Sequence, residues 1–319
     1  MLSILLKTAG LLLALTTAAT AQDYPTRAVR LIIPFAPGGS VDIVARLVAA
    51  KLSDRLRQQV IPDNRGGAGG IIAMEQAVKA PADGYTIVLV SLAHAGNPSI
   101  YKVNYDPVRS VAFVASLGNG ASVLTVHPSV PAHSVKELIA LAKSKPGDYA
   151  FAHAGVGSFT HTASVLFAMM ANINVVQIPF KGGGPAMIDV MGGHSHLLMN
   201  SYLASVPHIR SGKLRPLGVT ELQRWSELPD VPTLDEAGVK GFDVSSWYAL
   251  MGPANLPRDK VMAINRAVVQ GLEAPDVRAK LIEMGTRPAT GTPEQLAAFV
   301  DREIKRWAPV VKATGLKID

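Results

Sequence analysis

The sequence predicts an α/β fold in two lobes, in which mostly parallel sheets are flanked by helices. Short apolar strands alternate with segments of helical periodicity along most of the chain. The length of 319 residues exceeds a single typical core and favours two domains. Several junctions between a strand and the next helix are glycine-rich turns, which leave backbone N–H groups accessible.

Residues 1–21 have the features of a cleavable secretion signal. Lys7 supplies the positive start, an apolar run covers residues 10–15, and Ala19-Thr20-Ala21 fits a small-residue cleavage site. The apolar run is too short to span a membrane permanently. We therefore expect export to the periplasm, with cleavage near Ala21 and a mature chain that begins at Gln22.

Composition narrows the possible classes of function. The chain has no cysteine, which excludes disulfides, thiolate metal sites and a lipid anchor on cysteine. Basic residues are dispersed and aromatic residues make up 6%, so nucleic-acid binding has little support. The net charge of +7 favours the approach of an anionic ligand. We expect a freely diffusing periplasmic monomer without cofactor.

The first strand-turn-helix unit holds the first candidate anion site. An apolar strand at residues 31–33 leads through Pro37, Gly38 and Gly39 to Ser40, which is predicted to be the N-cap of a helix. Free N–H groups and the positive end of the helix dipole suit carboxylate or phosphate. An ordinary strand-to-helix turn is the alternative. The candidate ligand-binding residues of this unit are Ala36, Gly38, Gly39, Ser40 and Asp42, although Asp42 is also placed to stabilise the helix start.

Two more strands complete the parallel part of the first lobe. A strand at residues 60–61 leads into a glycine turn at 66–70 and a helix over 71–79, and a third strand covers 85–92. Ligands in such sheets bind beyond the carboxyl ends of the strands. Ser91 and His94 follow the third strand and are therefore candidate ligand contacts, with a purely structural role as the alternative.

The second lobe is predicted to repeat this alternation over residues 123–242. A capping box at Ser134 to Glu137 opens a helix that runs to Ser144, and a second helix covers 160–171. The predicted strands cover 123–126, 149–154, 175–180, 197–200 and 214–220.

A second candidate anion site lies at Gly155 to Ser158, between a strand and a helix of this lobe. If this helix end and the one at Ser40 face each other across a cleft, each can hold one end of a small dicarboxylate. The hydroxyls of Ser40 and Ser158 would add hydrogen bonds. The candidate residues here are Gly157, Ser158 and His161.

The chain is predicted to return to the first lobe through a strand at 244–250, followed by three helices. Thr292 caps the last helix, with Pro293 at its first position. We therefore expect one lobe from residues 22–122 plus 243–319 and the other from residues 123–242. Trp247, in the returning strand, is expected either in the core or at the floor of the cleft.

Catalysis and metal binding have weaker support in the sequence. Ser158 and His161, three residues apart, are the one candidate pair of nucleophile and base. Ser158 is not in a G-x-S-x-G elbow, and a spacing of three residues at a helix start is more typical of a helix cap. His194 and His196 would point to opposite faces of a strand, which separates them as metal ligands. The glycine turns match neither a P-loop nor G-x-G-x-x-G. No enzyme activity and no metal site is predicted.

Taken in order, these motifs resemble the Bug receptors, the substrate-binding proteins of tripartite tricarboxylate transporters. Each stretch is common by itself, but the whole series, over essentially the entire mature chain, is specific. The stretches are Tyr24-Pro25, 34–42, 63–70, Asp83-Gly84-Tyr85-Thr86, Asn97-Pro98, 155–158 with His161, 179–183, Val231-Pro232-Thr233 and Glu236-Ala237-Gly238.

The resemblance implies a type II periplasmic-binding-protein fold, whose two lobes close on a ligand in the cleft between them. It implies that the loop with Gly38 and Gly39 and the loop with Gly157 and Ser158 grip carboxylates, partly through water. Ligands in the family include di- and tricarboxylates, acidic amino acids and aromatic acids. The implied partner is a membrane permease with one large and one small subunit.

The chain departs from the family pattern at two places. Thr162-Ala163-Ser164-Val165 replaces the usual Leu-Ala and acidic residue after His161, and Asn200-Ser201 stands where many members have an aspartate. Without that acid, a ligand with an ammonium group is less favoured than a di- or tricarboxylate or an aromatic acid. We expect Asn200 and Ser201 to line the cleft. A ligand-sensing receptor that feeds a signalling system remains the alternative to a transport receptor.

Overall fold

The computed structural model describes residues 24–120, 122–283 and 285–315. The predicted secretion signal and its cleavage site lie outside the described residues. Within those ranges, no helix combines the length and apolar character that crossing a membrane requires.

The first lobe is built on a six-stranded sheet with the order β11-β4-β10-β3-β1-β2. Strand β1 pairs in parallel with β2 and β3, whereas β10 runs antiparallel to both β3 and β4. The strands are β1 Val29–Ile33, β2 Val60–Asn64, β3 Thr86–Ser91, β4 Val111–Gly120, β10 Ser246–Pro253 and β11 Thr286–Arg287.

The second lobe is built on a five-stranded sheet with the order β7-β6-β8-β5-β9. Strand β6 is parallel to β7 and β8, and β5 is antiparallel to β8 and β9. The strands are β5 Ser122–Val126, β6 Ala150–His153, β7 Val176–Pro179, β8 Leu197–Ser201 and β9 Arg215–Val219. The predicted two-lobed α/β fold is confirmed, but the sheets are mixed rather than mostly parallel, because β5 and β10 join their sheets antiparallel.

Helices cover both sheets. In the first lobe the helix Ser40–Leu56 buries Val44, Val48 and Leu52 and packs against the helix Arg258–Leu272. The helices are α1 Ser40–Leu56, α2 Ile71–Val78, α3 Ala93–Ile100, α4 Val135–Ser144, α5 Phe159–Ala171, α6 Gly183–Met191, α7 Tyr202–Arg210, α8 Arg258–Leu272, α9 Pro275–Glu283 and α10 Pro293–Ala313, with a 3₁₀ turn at Ala68–Gly70.

The chain crosses between the sheets twice. Strand β4 of the first sheet ends at Gly120 and β5 of the second begins at Ser122, and the chain returns to the first sheet at Ser246. The lobe boundaries expected from the sequence, 22–122 with 243–319 and 123–242, stay predictions. Both crossovers lie on the same side of the molecule, because β4 and β10 are neighbours in the sheet.

The helix caps agree with the sequence at the C-terminal helix and differ in one hydrogen bond at α4. Thr292 and Gln295 form the full capping box of α10, with Pro293 as its first residue. At α4 the Ser134 hydroxyl accepts a hydrogen bond from Glu137 N as predicted, but the Glu137 carboxylate accepts from His133 N rather than from Ser134 N.

Candidate functional site

A small cavity lies between the lobes, at the point where three helices begin. Its volume is about 20 Å³, which is room for about one water molecule. The first residues of α1, α5 and α6 all contribute to its wall. The lining residues are Phe35, Gly39, Ser40, Val41, Ser91 and Ser246 from the first lobe, and Ala154, Ser158, Phe159, Thr160, Gly183 and Asn200 from the second.

Five of the predicted site residues line this cavity: Gly39, Ser40, Ser91, Ser158 and Asn200. The others lie behind it or beside it and are described below. Gly183 was not among the candidate site residues. It is the first residue of α6 and lies in a glycine run at 182–184 that follows a strand, which is the pattern that identified the other two helix ends.

The start of α1 differs from the prediction by one residue. Gly39 is the N-cap, Ser40 is the first helical residue, and no side chain caps the helix. The Asp42 carboxylate instead accepts a hydrogen bond from Gly38 N at 3.0 Å, one from Arg46 Nε at 3.0 Å and one from Asn64 Nδ2 at 2.9 Å. Because Asp42 points into this network, it fixes the glycine turn from behind and does not line the cavity.

Hydrogen bonding controls the ionisation of Asp42. Burial raises the pKa of its carboxyl, but the hydrogen bonds from Arg46, Gly38 N and Asn64 outweigh burial and lower it overall. The carboxylate is therefore charged at neutral pH. Asn64 extends the network by donating to Phe35 O at 2.9 Å, which ties down the residue before Ala36.

The start of α5 is capped as its sequence suggests. Ser158 is the N-cap, and its hydroxyl accepts from His161 N at 3.2 Å and lies 3.1 Å from the Thr160 hydroxyl. Thr160 Oγ1 accepts from Ala154 N at 2.7 Å. Ser158 and Thr160 both line the cavity, so the residues that order the start of α5 also form part of the cavity wall.

A pair of neutral histidines supports this loop from below. The His153 and His161 rings stack with centroids 4.2 Å apart. His153 Nδ1 accepts from Gly155 N at 3.3 Å, and His161 Nδ1 accepts from Gly157 N at 3.2 Å. Burial lowers the pKa of His153 to about 4 and, together with the nearby His153, that of His161 to about 3. Because neither ring lines the cavity, both histidines act by holding the loop's backbone.

Asn200 presents an unused hydrogen-bond donor at the cavity. Its Oδ1 accepts from Ser201 N at 2.9 Å, whereas its buried Nδ2 has no partner among the described residues. Ser201 lies behind Asn200 and caps α7 by accepting from Ala204 N. An unsatisfied buried donor costs about 1–3 kcal/mol, so an acceptor bound here would recover that free energy.

The remaining wall comes from strands β3 and β10. Ser91 ends β3 and Ser246 begins β10, and the buried Tyr248 hydroxyl lies near Ser40, Ser201 and Ser246 without a hydrogen bond of good geometry to any of them. Burial raises the pKa of Tyr248, so its phenol stays protonated and can donate.

His94 and Trp247 are directed away from the cavity. The chain turns into α3 directly after β3, which places the His94 ring within the first lobe, where it stacks on Tyr105 and its Nε2 lies 2.8 Å from Pro107 O. Burial lowers the pKa of His94 to about 4. The expected ligand contact from His94 therefore has no support in this arrangement. Trp247 is buried on the face of β10 opposite to Ser246 and is not at the floor of the cleft.

Among the residues that the structure describes, no lysine, arginine, aspartate or glutamate side chain lines the cavity. The polar groups that face it are hydroxyls, one amide and the first N–H groups of three helices, which have no partner within the helix. Helix N-termini carry a partial positive charge and bind anions through these N–H groups. In the part of the chain that the structure describes, no cluster of three or more histidine, aspartate or glutamate side chains is able to hold a metal ion.

Hydrogen bonds between the two lobes close the cleft around the cavity. Ala36 N donates to Lys181 O at 3.0 Å, and the Tyr101 hydroxyl donates to Val156 O at 3.0 Å, each across the two lobes. A more open cavity of about 580 Å³ lies outside these contacts and shares Ala154 with the central one. Because the central cavity holds only about one water, a ligand of several atoms requires the lobes to open for its entry and to close less tightly around it than they do here.

The arrangement of Ser158 and His161 is that of a helix cap. The Ser158 hydroxyl contacts the His161 backbone N–H, and the nearest nitrogen of the His161 ring already accepts from Gly157 N. No contact between the Ser158 hydroxyl and the His161 ring is found in the described ranges, and no carboxylate orients that ring there. The nucleophile and base of a serine hydrolase are not assembled in this geometry.

Comparison with known proteins agrees with this fold. The profile of the tripartite tricarboxylate transporter family receptors matches residues 44–316. Protein BugT of Bordetella pertussis (strain Tohama I) is 36% identical over 302 residues, which cover 94% of this chain and 93% of BugT.

Two solved structures from Rhodopseudomonas palustris are similar over their whole length. Rpa4515 with adipate is 36% identical with a TM-score of 0.90, covering 93% of this chain and 100% of that one. MatC with bound malate is 32% identical with a TM-score of 0.86, covering 90% of this chain and 100% of that one. The likeness confirms the two-lobed type II periplasmic-binding fold. The chain belongs to the tripartite tricarboxylate transporter receptor family.

Proposed function

We propose that this protein captures a small carboxylate without an amino group in the cleft between its lobes and presents it to a membrane permease. The ligand class is a di- or tricarboxylate or an aromatic acid. One observation carries the proposal: three helix N-termini meet in a cavity that no charged side chain of the described residues lines. Such a site stabilises anions by backbone N–H groups and helix dipoles.

The ligands of related proteins support this class. Rpa4515 was solved with adipate and MatC with malate, and both ligands are dicarboxylates. A dicarboxylate has one anionic group for the helix ends of each lobe. In this chain one carboxylate would face Ser40 at α1, and the other would face Ser158 at α5 and Gly183 at α6.

Asn200 would set the preference against amino acids. Its free Nδ2 donates to a carboxylate oxygen, but an amide offers no negative charge to balance an ammonium group. An α-amino dicarboxylate such as aspartate would therefore bury its ammonium unpaired, which is costly. We expect adipate or malate to bind better than aspartate.

Delivery follows from the difference between open and closed lobes. A ligand that contacts both lobes favours the closed form by as much as it binds that form better. Because the closed form carries cross-lobe contacts that the open form lacks, a permease can recognise it. The predicted secretion signal and the family support an encounter at the periplasmic face of a membrane.

The test is calorimetry on the mature protein after ligand removal by unfolding and refolding. Adipate, malate, citrate, benzoate and aspartate are titrated into the wild type and Ser158→Ala. We expect one or more of the first four to bind and to raise the free energy of unfolding by about 2.7 kcal/mol at 100 times its dissociation constant. Ser158→Ala should bind that acid more weakly. Absence of binding to all carboxylates, with binding of a sugar or a metal cation instead, would refute the proposal.

A further inference from the structure

A third cavity lies on the side of the molecule where the chain crosses between the lobes. Its volume is about 350 Å³, within the range of small-molecule sites. We call it the hinge pocket. It is lined by Ser116, Gly118, Asn119, Ser245, Trp247, Ala289, Thr290, Gly291, Gln295, Leu296, Phe299, Glu303 and Arg306.

The hinge pocket is separate from the carboxylate cavity. Alternate residues of a strand point to opposite faces of its sheet. Ser246 lines the cavity between the lobes, whereas its neighbours Ser245 and Trp247 line the hinge pocket. The two cavities have no lining residue in common, so strand β10 forms a wall between them.

One wall of the pocket is aromatic. The rings of Trp247 and Phe299 meet edge to face, with centroids 5.4 Å apart and planes at 83°. Leu296 lies beside them on α10. Together these side chains offer a flat apolar surface and an aromatic face, which also attracts cations.

The polar end of the pocket is a buried carboxylate. Glu303 is only 8% exposed. Its Oε2 accepts hydrogen bonds from Trp247 Nε1 at 3.0 Å and from Trp307 Nε1 at 3.2 Å. Its Oε1 accepts no hydrogen bond from any described residue, and the nearest cationic atom is Arg306 Nη1 at 3.6 Å.

Arg306 is shared between Glu303 and a second carboxylate, that of Asp243. It donates through Nη2 to Asp243 O at 2.9 Å, and the same nitrogen lies 3.7 Å from Asp243 Oδ2. One half-exposed guanidinium thus lies near two carboxylates, Glu303 and Asp243, at 3.6 Å and 3.7 Å, and it makes no hydrogen bond to Glu303 Oε1.

We propose that the hinge pocket binds a small organic amine with a flat apolar body. The ammonium group donates a hydrogen bond to Glu303 Oε1, and the body packs against Trp247 and Phe299. A charge-assisted hydrogen bond to a buried carboxylate is strong, and the aromatic wall supplies the apolar contact and a cation–π attraction. The Glu303 carboxylate repels a carboxylate placed at the same point, so this ligand class is opposite in charge to that proposed for the cleft.

Three probes of one shape test the charge requirement. Phenethylamine, 2-phenylethanol and phenylacetate are cationic, neutral and anionic versions of the same ring and chain. Binding is followed by tryptophan fluorescence and calorimetry, because two of the three tryptophans, Trp247 and Trp307, contact Glu303. We expect phenethylamine to bind with one-to-one stoichiometry and at least tenfold more tightly than 2-phenylethanol. Phenylacetate belongs to the aromatic acids proposed for the cleft, so its binding to the hinge pocket is measured by how far it displaces phenethylamine, and we expect it to displace the amine less than 2-phenylethanol does. Equal binding of all three probes, or none, overturns the proposal.

Variants locate the site. Glu303→Gln is expected to weaken phenethylamine binding at least tenfold, and Ser245→Phe, which fills the pocket and leaves Glu303 in place, is expected to abolish it. Glu294→Gln is the matched control, since Glu294 is exposed on the same helix and pairs with Arg258. Thermal unfolding shows that each variant is folded. Wild-type affinity in folded Glu303→Gln or in folded Ser245→Phe contradicts the proposal.

A last titration separates the two sites. Phenethylamine is titrated into protein saturated with whichever carboxylate binds the cleft, or into the free protein if none does. One equivalent of amine binding in both situations supports a second site, and complete displacement of the amine by the carboxylate overturns it. The amine experiments do not depend on the cleft ligand, so this inference and the proposed function can fail separately.

Discussion

Asp42 shows how a residue can serve the site without touching the ligand. Its carboxylate joins Gly38 N, Arg46 and Asn64, and Asn64 in turn holds Phe35 O, so one buried charge orders the whole turn before α1. The sequence suggested both roles for this aspartate. The structure assigns it the supporting one, because three donors already occupy the carboxylate.

Asp42→Asn should weaken binding of the cleft carboxylate about tenfold. An amide keeps the size of the side chain but removes the negative charge to which Gly38 N and Arg46 donate. We expect the free energy of unfolding to fall by about 1–3 kcal/mol. Calorimetry and urea unfolding measure the two effects. Asp54→Asn, exposed on the same helix, is the control and should change neither. Unchanged affinity in Asp42→Asn would remove the supporting role.

Asn200→Asp should reverse the ligand preference. The new carboxylate is nearly isosteric with the amide, but it repels a bound carboxylate and can balance an ammonium group. We expect adipate affinity to fall at least tenfold and the ratio of aspartate to adipate affinity to rise. Competition calorimetry gives this ratio. If the ratio stays at the wild-type value, Asn200 does not control the preference.

At the scale of elements, the strand-turn-helix junctions were the predictable part. Residues 31–42 and 155–161 carry a local signal, an apolar strand, a glycine turn and a helical repeat, and both junctions lie where the sequence placed them. Only the position of the first cap was wrong, because Gly39 rather than Ser40 precedes the helix. These signals depend on neighbouring residues alone, which is why they can be read without the fold.

Elements that break local rules were missed. Helices α3 and α7 contain Pro98 and Pro207, which in a sequence indicate a break, and in both cases the proline lies in the last turn or so of a short helix. Strand β4 contains Gly118 and Gly120, which weaken a strand pattern. The ligand contact expected of His94 stays a prediction, and helix α3, which the sequence did not indicate, turns the ring back into the lobe.

The stacked histidines should make the protein less stable in mild acid. The folded-state pKa values of about 4 for His153 and about 3 for His161 lie below the ordinary 6.5, so unfolding takes up protons between these values. Stability from this pair is fully present above about pH 6.5 and decreases as the pH falls toward 4, by up to about 1.4 kcal/mol per pH unit for each histidine. Urea unfolding at pH 7.5 and pH 5 measures the change.

His153→Gln should reduce this pH dependence, since glutamine does not titrate and its side-chain oxygen can still accept from Gly155 N. His133→Gln is the control, because His133 is exposed and should leave the dependence unchanged. An identical slope in His153→Gln and wild type would show that the pair does not titrate as expected.

At the scale of the whole molecule, the site exists only when the lobes meet. The sequence indicated two helix ends but not their distance, because the crossovers at residues 120–122 and 243–246 decide how the lobes face each other. The third helix end, at Gly183, and the wall from Ser246 come from parts of the chain that are far apart in sequence. Which charged side chains stay out of the cavity likewise depends on the whole fold and not on the local sequence.

Tyr101→Phe should weaken ligand binding without weakening the lobes. The lost hydrogen bond to Val156 O exists only across the closed cleft, and a hydrogen bond of this kind contributes about 0.5–1.5 kcal/mol. We expect up to about a tenfold loss of affinity for the cleft carboxylate and little change in the unfolding of the ligand-free protein. Tyr149→Phe, within the second lobe, is the control. Equal affinities for Tyr101→Phe and wild type would show that this contact does not stabilise the liganded form.

The most direct measurement is a crystal structure of the mature protein grown with adipate. The account predicts lobes closed around a dicarboxylate whose two carboxylates lie at the N-termini of α1, α5 and α6, with hydrogen bonds from backbone N–H groups, Ser40, Ser158 and Asn200. A carboxylate held by a lysine or arginine side chain, or adipate bound outside the cleft, would contradict the claim that helix ends alone supply the charge that binds the ligand.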